Sequence, residues 1–116
     1  MKIFQILLFI LLAGTCSAQS KAASKYISTS FEVAGVCGNC EKRIEGALDI
    51  VGVSKADWVK ETSILTVVYN PKKIKEEELH QLVANAGYRT SKLEKSQKAY
   101  DALPNCCKYD DGIEKH

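Results

Sequence analysis

Two thiols spaced C-x-x-C, Cys37 and Cys40, lie in Phe31-Glu-Val-Ala-Gly-Val-Cys-Gly-Asn-Cys-Glu-Lys-Arg-Ile-Glu45, directly after an alternating run and at the start of a stretch with helical spacing. Two soft sulfurs in one small loop can chelate a soft metal ion or cycle between dithiol and disulfide. A second pair, Cys106 and Cys107, lies further along, with His116 beyond it. A bridge between neighbouring cysteines strains the geometry that a disulfide requires, so the even count does not point to a disulfide framework. Vicinal thiols bind soft ions readily. Cys106 and Cys107 are therefore candidates for a second metal site, with His116 or by completing the coordination of Cys37 and Cys40. The competing expectation is an ordinary disordered tail that carries two incidental cysteines.

The elements that must hold these thiols follow from periodicity. Tyr26 to Val33 alternates, with Ile27, Thr29, Phe31 and Val33 on one face, which predicts a half-buried strand. Residues 34–39 form a glycine-containing loop, Asn39 is a plausible N-cap, and Ile44, Ala47 and Leu48 recur at helical spacing from Cys40 to about Asp49. Val53, Ala56 and Trp58 suggest a second strand of less regular pattern, and Leu65, Val67 and Tyr69 a third, ended by Asn70-Pro71. Leu79, Leu82, Val83 and Ala86 predict a second helix that Gly87 terminates, and Tyr88 to about Leu93 a fourth strand. This β-α-β-β-α-β order predicts an α+β, ferredoxin-like fold, with a four-stranded antiparallel sheet and two helices on one face. Phe31, Ile44, Leu48, Val67, Leu79 and Leu82 are the expected core. Trp58 is expected in sheet-face packing and His80 at the solvent surface.

The first residues read as a targeting segment. Lys2 precedes the apolar run Ile3 to Ala13, too short for the roughly 20 residues of a membrane span, and Cys16-Ser17-Ala18 fits a small-x-small cleavage site. The expected organisation is a signal peptide at residues 1–18, a domain at 26–95 and a Cys-containing tail at 96–116. Lipidation of Cys16 is a minor alternative, because Ala13-Gly14-Thr15 departs from the Leu-Ala-Gly that precedes an acylated cysteine. Cleavage lowers the formal charge from +2 to +1. The charges are interspersed without a basic block, which argues against a nucleic-acid partner. A soluble, monomeric, exported protein is expected.

Cys40 falls in the first helical turn, where the helix N-terminus with Lys42 and Arg43 favours thiolate over thiol. A closed structural zinc site would want four ligands, whereas the predicted domain holds one pair. Two thiolates in an exposed loop instead suit an ion content with few ligands, which another thiolate pair can take by exchange. No general base, nucleophile constellation or phosphate loop is present, which argues against an enzyme.

From about Tyr26 to Leu93 the chain resembles the heavy-metal-associated domain family, which includes bacterial copper chaperones, repeats of copper-pumping ATPases and the periplasmic mercury-binding protein. The residues that carry the resemblance are strand–loop–Cys37-x-x-Cys40–helix, Gly52-Val53, Val67-Val68-Tyr69-Asn70-Pro71 and Ala86-Gly87-Tyr88. The resemblance implies that Cys37 and Cys40 are metal ligands and that Tyr88 is an aromatic near the metal loop, where it would shield the site. It implies Cu(I) as cargo, with Hg(II) or Zn(II) as alternatives, a metal-transporting membrane protein or another carrier as partner, and a periplasmic location. One departure is Gly35, which stands where the family usually has a methionine packed under the loop. The alternative function is a small thiol–disulfide oxidoreductase. Such proteins resemble Trp-Cys-Gly-Pro-Cys and need a cis-proline before a later strand, whereas Pro71 precedes a helix and Pro104 lies in the tail.

Overall fold

The computed structural model of the chain describes residues 25–116. The expected signal peptide, residues 1–18, lies outside the described residues. The elements run β1 (Ile27–Glu32), α1 (Gly38–Ala47), β2 (Val53–Val59), β3 (Ile64–Tyr69) and α2 (Glu76–Asn85). A short helix α3 (Gln97–Asp101) and a 3₁₀ turn (Asn105–Cys107) follow. The sheet has three strands in the order β1-β3-β2, antiparallel at both junctions. The register sets Phe31 and Trp58 on either side of Leu65, and Thr29 and Ala56 on either side of Val67. Side chains two residues apart share a face, so these rows form the inner surface of the sheet. Leu65, Val67, Phe31 and Trp58 are all buried there, each worth about 1.5–3 kcal/mol when fully covered. A register shift between Val53 and Lys55 explains the irregular pattern of β2. One extra residue moves the inward set from alternate spacing to Val53, Ala56 and Trp58.

Both long helices contribute an apolar stripe to this core, Cys40 and Ile44 from α1 and Leu79, Val83 and Ala84 from α2, while Leu82 is only partly buried. α2 begins with Glu76, Glu77 and Glu78, acids that suit the positive end of a helix. His80 is a correction to the expected solvent position. It is buried, its ring stacks on Phe31 at 3.8 Å between centroids, and its Nδ1 lies 2.8 Å from the Thr90 hydroxyl. An imidazole can fill a core position when a neighbouring hydroxyl meets its polar atom. Burial, with Lys92 nearby, pushes the His80 pKa below its ordinary value, which favours the neutral ring.

The expected fourth strand is also corrected. Residues 88–93 make one isolated antiparallel bridge, Val33 to Thr90, flanked by Ala34 N–H to Arg89 O and Ser91 N–H to Glu32 O, both 3.0 Å. The ladder stops because Thr90 turns the chain. Its hydroxyl accepts from the amides of Lys92 and Leu93 at 3.1 and 3.0 Å, and its own amide donates to Leu93 O at 2.9 Å. A threonine side chain that captures the next amides competes with strand pairing.

The C-terminal segment folds back on the domain. Tyr100, Leu103 and Cys107 are buried against the core, and Ser96 caps α3 by accepting from the Ala99 amide at 3.3 Å. Tyr109 receives the Arg89 amide proton at 2.9 Å and donates its own to Gly87 O at 2.7 Å. Asp110 pairs with Arg89 through both oxygens, at 3.0 and 2.8 Å, and with Lys95 at 2.6 Å. These bonds, Arg89 first, hold the Asp110 carboxyl below the usual carboxylate range. Gly87 makes this docking sterically feasible. Its φ is +101°, and a Cβ there would lie 3.0 Å from the Tyr100 amide nitrogen and 3.1 Å from the Ala99 carbonyl carbon. Gly87→Ala combines a left-handed backbone with a clash against backbone atoms that cannot rotate away. It is expected to destabilise the protein by about 1–3 kcal/mol in urea unfolding. A change within about 0.5 kcal/mol of zero would show that α3 does not rest on Gly87.

Candidate metal centre

Cys37 occupies the N-cap position of α1, with extended backbone, and Cys40 the first turn; Asn39, the expected cap, lies one step inside the helix. Cys37 gives the helix no side-chain cap bond, so its sulfur is free to face the site. The Cys37 and Cys40 sulfurs are 3.6 Å apart and both residues are buried. Both cysteines are free thiols.

Trp58 supports the loop from beneath. Its indole N–H donates to Val33 O at 3.0 Å, and its ring lies against Gly35, where a Cβ would come within 2.7 Å of Cζ2. The Trp58 amide donates to Glu45 Oε2 at 2.9 Å, which ties β2 to α1. A large side chain at position 35 would collide with the indole. Gly35 and Trp58 are thus a matched pair, and the indole fills the space beneath the loop.

The C-terminal segment closes the other side. Cys107 is fully buried with its sulfur 3.7 Å from that of Cys37, and the sulfurs of Cys37, Cys40 and Cys107 all lie within 4.8 Å of one another. The Cys37 thiol donates to Cys106 O at 3.3 Å. Cys106 is half-buried beside this cluster, 4.0 Å from the Cys107 sulfur, and its sulfur accepts from the Asn39 amide group at 3.4 Å. The His116 ring is exposed and bonds Glu114 O at 2.9 Å, so it does not join Cys106 and Cys107 in a separate site. The backbone of His116 does reach the loop, where its amide donates to Val36 O at 2.8 Å.

Tyr88 lies under the thiols. It is fully buried, stacks on Tyr109 at 5.6 Å, and its hydroxyl neighbours the sulfurs of Cys40 and Cys107 without a well-formed hydrogen bond. Burial, then the neighbouring Cys40, pushes the phenol well above its ordinary range, so it stays protonated. Burial also opposes ionisation of Cys40. Hydrogen bonding from the Val36 backbone, the nearby Tyr88 hydroxyl dipole, the Cys37 backbone and Cys107 together outweigh that cost and lower the Cys40 pKa below its ordinary value. Cys107 is raised, first by burial and then by its bonds with Cys40 and Cys37. The cluster thus contains one thiol disposed to ionise and one that stays protonated until something replaces its proton.

Sulfurs at these separations can hold a soft ion or form a disulfide, and no carboxylate or imidazole is grouped with them among the described residues. The structure brings the expected residues Cys37, Cys40, Tyr88 and Cys107 together, while the Asn39–Cys106 bond and the clamp at Tyr109 were not expected from the sequence. The signals available were weak: an amide inside the motif, and an aromatic residue in an otherwise polar tail.

Residues 30–89 match the heavy-metal-associated domain. A cation-transporting ATPase of Oryza sativa subsp. japonica, HMA5, is 31% identical over 90 residues, 76% of this chain and 9% of the ATPase. The chain therefore spans less than a tenth of that relative. Among solved structures, the CopZ metallochaperone superposes with a TM-score of 0.53 at 29% identity, covering 55% of this chain and 98% of CopZ. Oxidized MerP from Ralstonia metallidurans CH34 gives a TM-score of 0.53 at 29% identity, covering 57% and 94% of the two chains. A copper binding domain from HMA7, a P-type ATPase, gives 0.53 at 27% identity, covering 55% and 89%. With its three-stranded sheet, its helices and a motif match over about half of its length, the chain belongs to the heavy-metal-associated domain family, which binds metal rather than catalysing a reaction.

Proposed function

We propose that this protein is an exported carrier that holds a soft metal ion on the thiolates of Cys37 and Cys40 and passes it to a metal-transporting membrane protein or another carrier. Cu(I) is the first cargo, with Hg(II) or Zn(II) as alternatives. The observation that carries this reading is the pair of buried, unbridged sulfurs 3.6 Å apart at the N-terminal turn of α1. Thiolates there sit at the positive end of the helix, and soft ligands select d10 ions over magnesium or calcium. Transfer proceeds by stepwise ligand exchange, in which the thiolates of the acceptor replace the resident ones. Similarity to a copper binding domain of a P-type ATPase and to a metallochaperone supports such a role.

Replacing Cys37 or Cys40 by serine exchanges a soft ligand for a hard hydroxyl. Each variant is expected to lose several orders of magnitude in Cu(I) affinity in competition with a chelator, while circular dichroism reports a retained fold. Wild-type affinity in Cys40→Ser would remove the assignment. Export has its own test. Mass spectrometry of protein recovered from its native cell envelope should give a chain that starts at Gln19, within a few residues. An intact Met1, or a diacylglycerol on Cys16, contradicts a cleaved soluble form.

A further inference from the structure

We propose that Cys107 is a third sulfur ligand, so that Cys37, Cys40 and Cys107 bind Cu(I) as a three-coordinate centre closed by the C-terminal segment. The inference deepens the carrier reading above and rests on it. Cys107 lies beyond residues 30–89, so the family match does not assign it.

Geometry is the first argument. With metal–sulfur bonds of about 2.3 Å, a linear two-sulfur site separates its sulfurs by about 4.6 Å and a trigonal one by about 4.0 Å. The observed separations are 3.6 Å for Cys37 to Cys40 and 3.7 Å for Cys37 to Cys107. Both lie nearer the trigonal distance, and a small outward movement of the sulfurs admits an ion at the centre. A linear site at Cys37 and Cys40 would have to spread those sulfurs by about 1 Å, with the Cys107 sulfur packed 3.7 Å from that of Cys37.

Hydrogen-bond accounting supplies the second. Tyr88 is fully buried, yet its hydroxyl, beside Cys40 and Cys107, lacks a well-formed partner. A buried donor left without a partner destabilises the empty site. Thiols accept hydrogen bonds weakly, whereas a coordinated sulfur has lost its proton and carries negative charge, which makes it a strong acceptor. Loading the site therefore gives the Tyr88 proton a partner.

The clamp that holds Cys107 is the third. Tyr109 is bonded to both Arg89 N–H and Gly87 O, and Asp110 is bonded to Arg89 and Lys95. These bonds anchor the chain two and three residues beyond Cys107, so little freedom is left to lose when its sulfur coordinates. When Cu(I) enters, each coordinating sulfur gives up its proton to solvent, three copper–sulfur bonds form and no electrons are transferred. Release to a partner requires Cys107 to leave first, because the three cysteines are buried and an incoming thiolate needs an open position. Cys106, half-buried and 4.0 Å from Cys107, stays outside the centre.

The test is X-ray absorption on reduced protein loaded anaerobically with equimolar Cu(I), comparing wild type with Cys107→Ser, Cys107→Ala and Cys106→Ser. Alanine keeps the buried position apolar, so it remains informative if serine disturbs docking. The expected sulfur number is three in wild type and Cys106→Ser and two in both Cys107 variants. Those two variants should also yield Cu(I) to a chelator about 100-fold more readily. A sulfur number of two in wild type, with equal chelator resistance in the Cys107 variants, overturns the third ligand and leaves the carrier reading intact. Loss of a sulfur in Cys106→Ser but not in the Cys107 variants also overturns it. Wild-type protein that binds no Cu(I) through sulfur overturns the carrier reading and this inference with it.

Discussion

Trp58 is the contact on which the thiol site depends. Its amide is bonded to Glu45 of α1, its indole N–H to Val33 just past β1, and its ring lies against Gly35 of the loop. One residue, through its backbone amide and its indole, thereby ties together the strand that precedes the motif, the loop that carries it and the helix that follows. The register of the sheet makes this possible, because Leu65 of the central strand sits between Phe31 and Trp58. A loop resting on a rigid aromatic floor holds its sulfurs with little freedom, which is what a pre-organised site requires.

The second half of the site comes from a segment beyond the family match. Its docking uses tyrosines more than aliphatic residues: Tyr100 meets Tyr109 edge-on at 5.1 Å, and Tyr109 stacks on Tyr88. Tyrosines suit this role because each buries a ring and still satisfies a hydroxyl, as the Tyr100 bond to Asp111 at 2.9 Å illustrates. The charged cluster of Arg89, Lys95 and Asp110 lies at the rim, where water screens it, so it aligns the segment more than it stabilises it. The arrangement encloses the thiols between the sheet-and-helix core and the C-terminal segment, whose Tyr100, Leu103 and Cys107 are buried in the same cluster.

Much of this was readable from residue spacing. The alternation in β1 and β3 and the helical stripe of α2 are strong periodic signals, and the C-x-x-C motif fell at the strand–helix junction where it was expected. What escaped was decided by single side chains acting across the fold. Thr90 turns the chain away from the sheet by a local bond that periodicity does not encode. His80 is buried because Phe31 and Thr90 happen to face it. The small bulge in β2 blurred its pattern, and the placement of Cys107 depends on a close approach at Gly87 that lies about twenty residues away in sequence.

If the loop on Trp58 and the clamped C-terminal segment enclose one metal site, binding of the ion must be felt by both. The most direct measurement is the heteronuclear NMR spectrum of the reduced protein before and after addition of Cu(I). Shift changes are expected to cluster at Val36 to Glu41, at Tyr88 and at Cys106 to Tyr109, with the amides of β3 and the outer face of α2 unmoved. Changes confined to the loop, or centred on the acidic surface of Glu41, Glu45 and Asp57, would contradict a shared site.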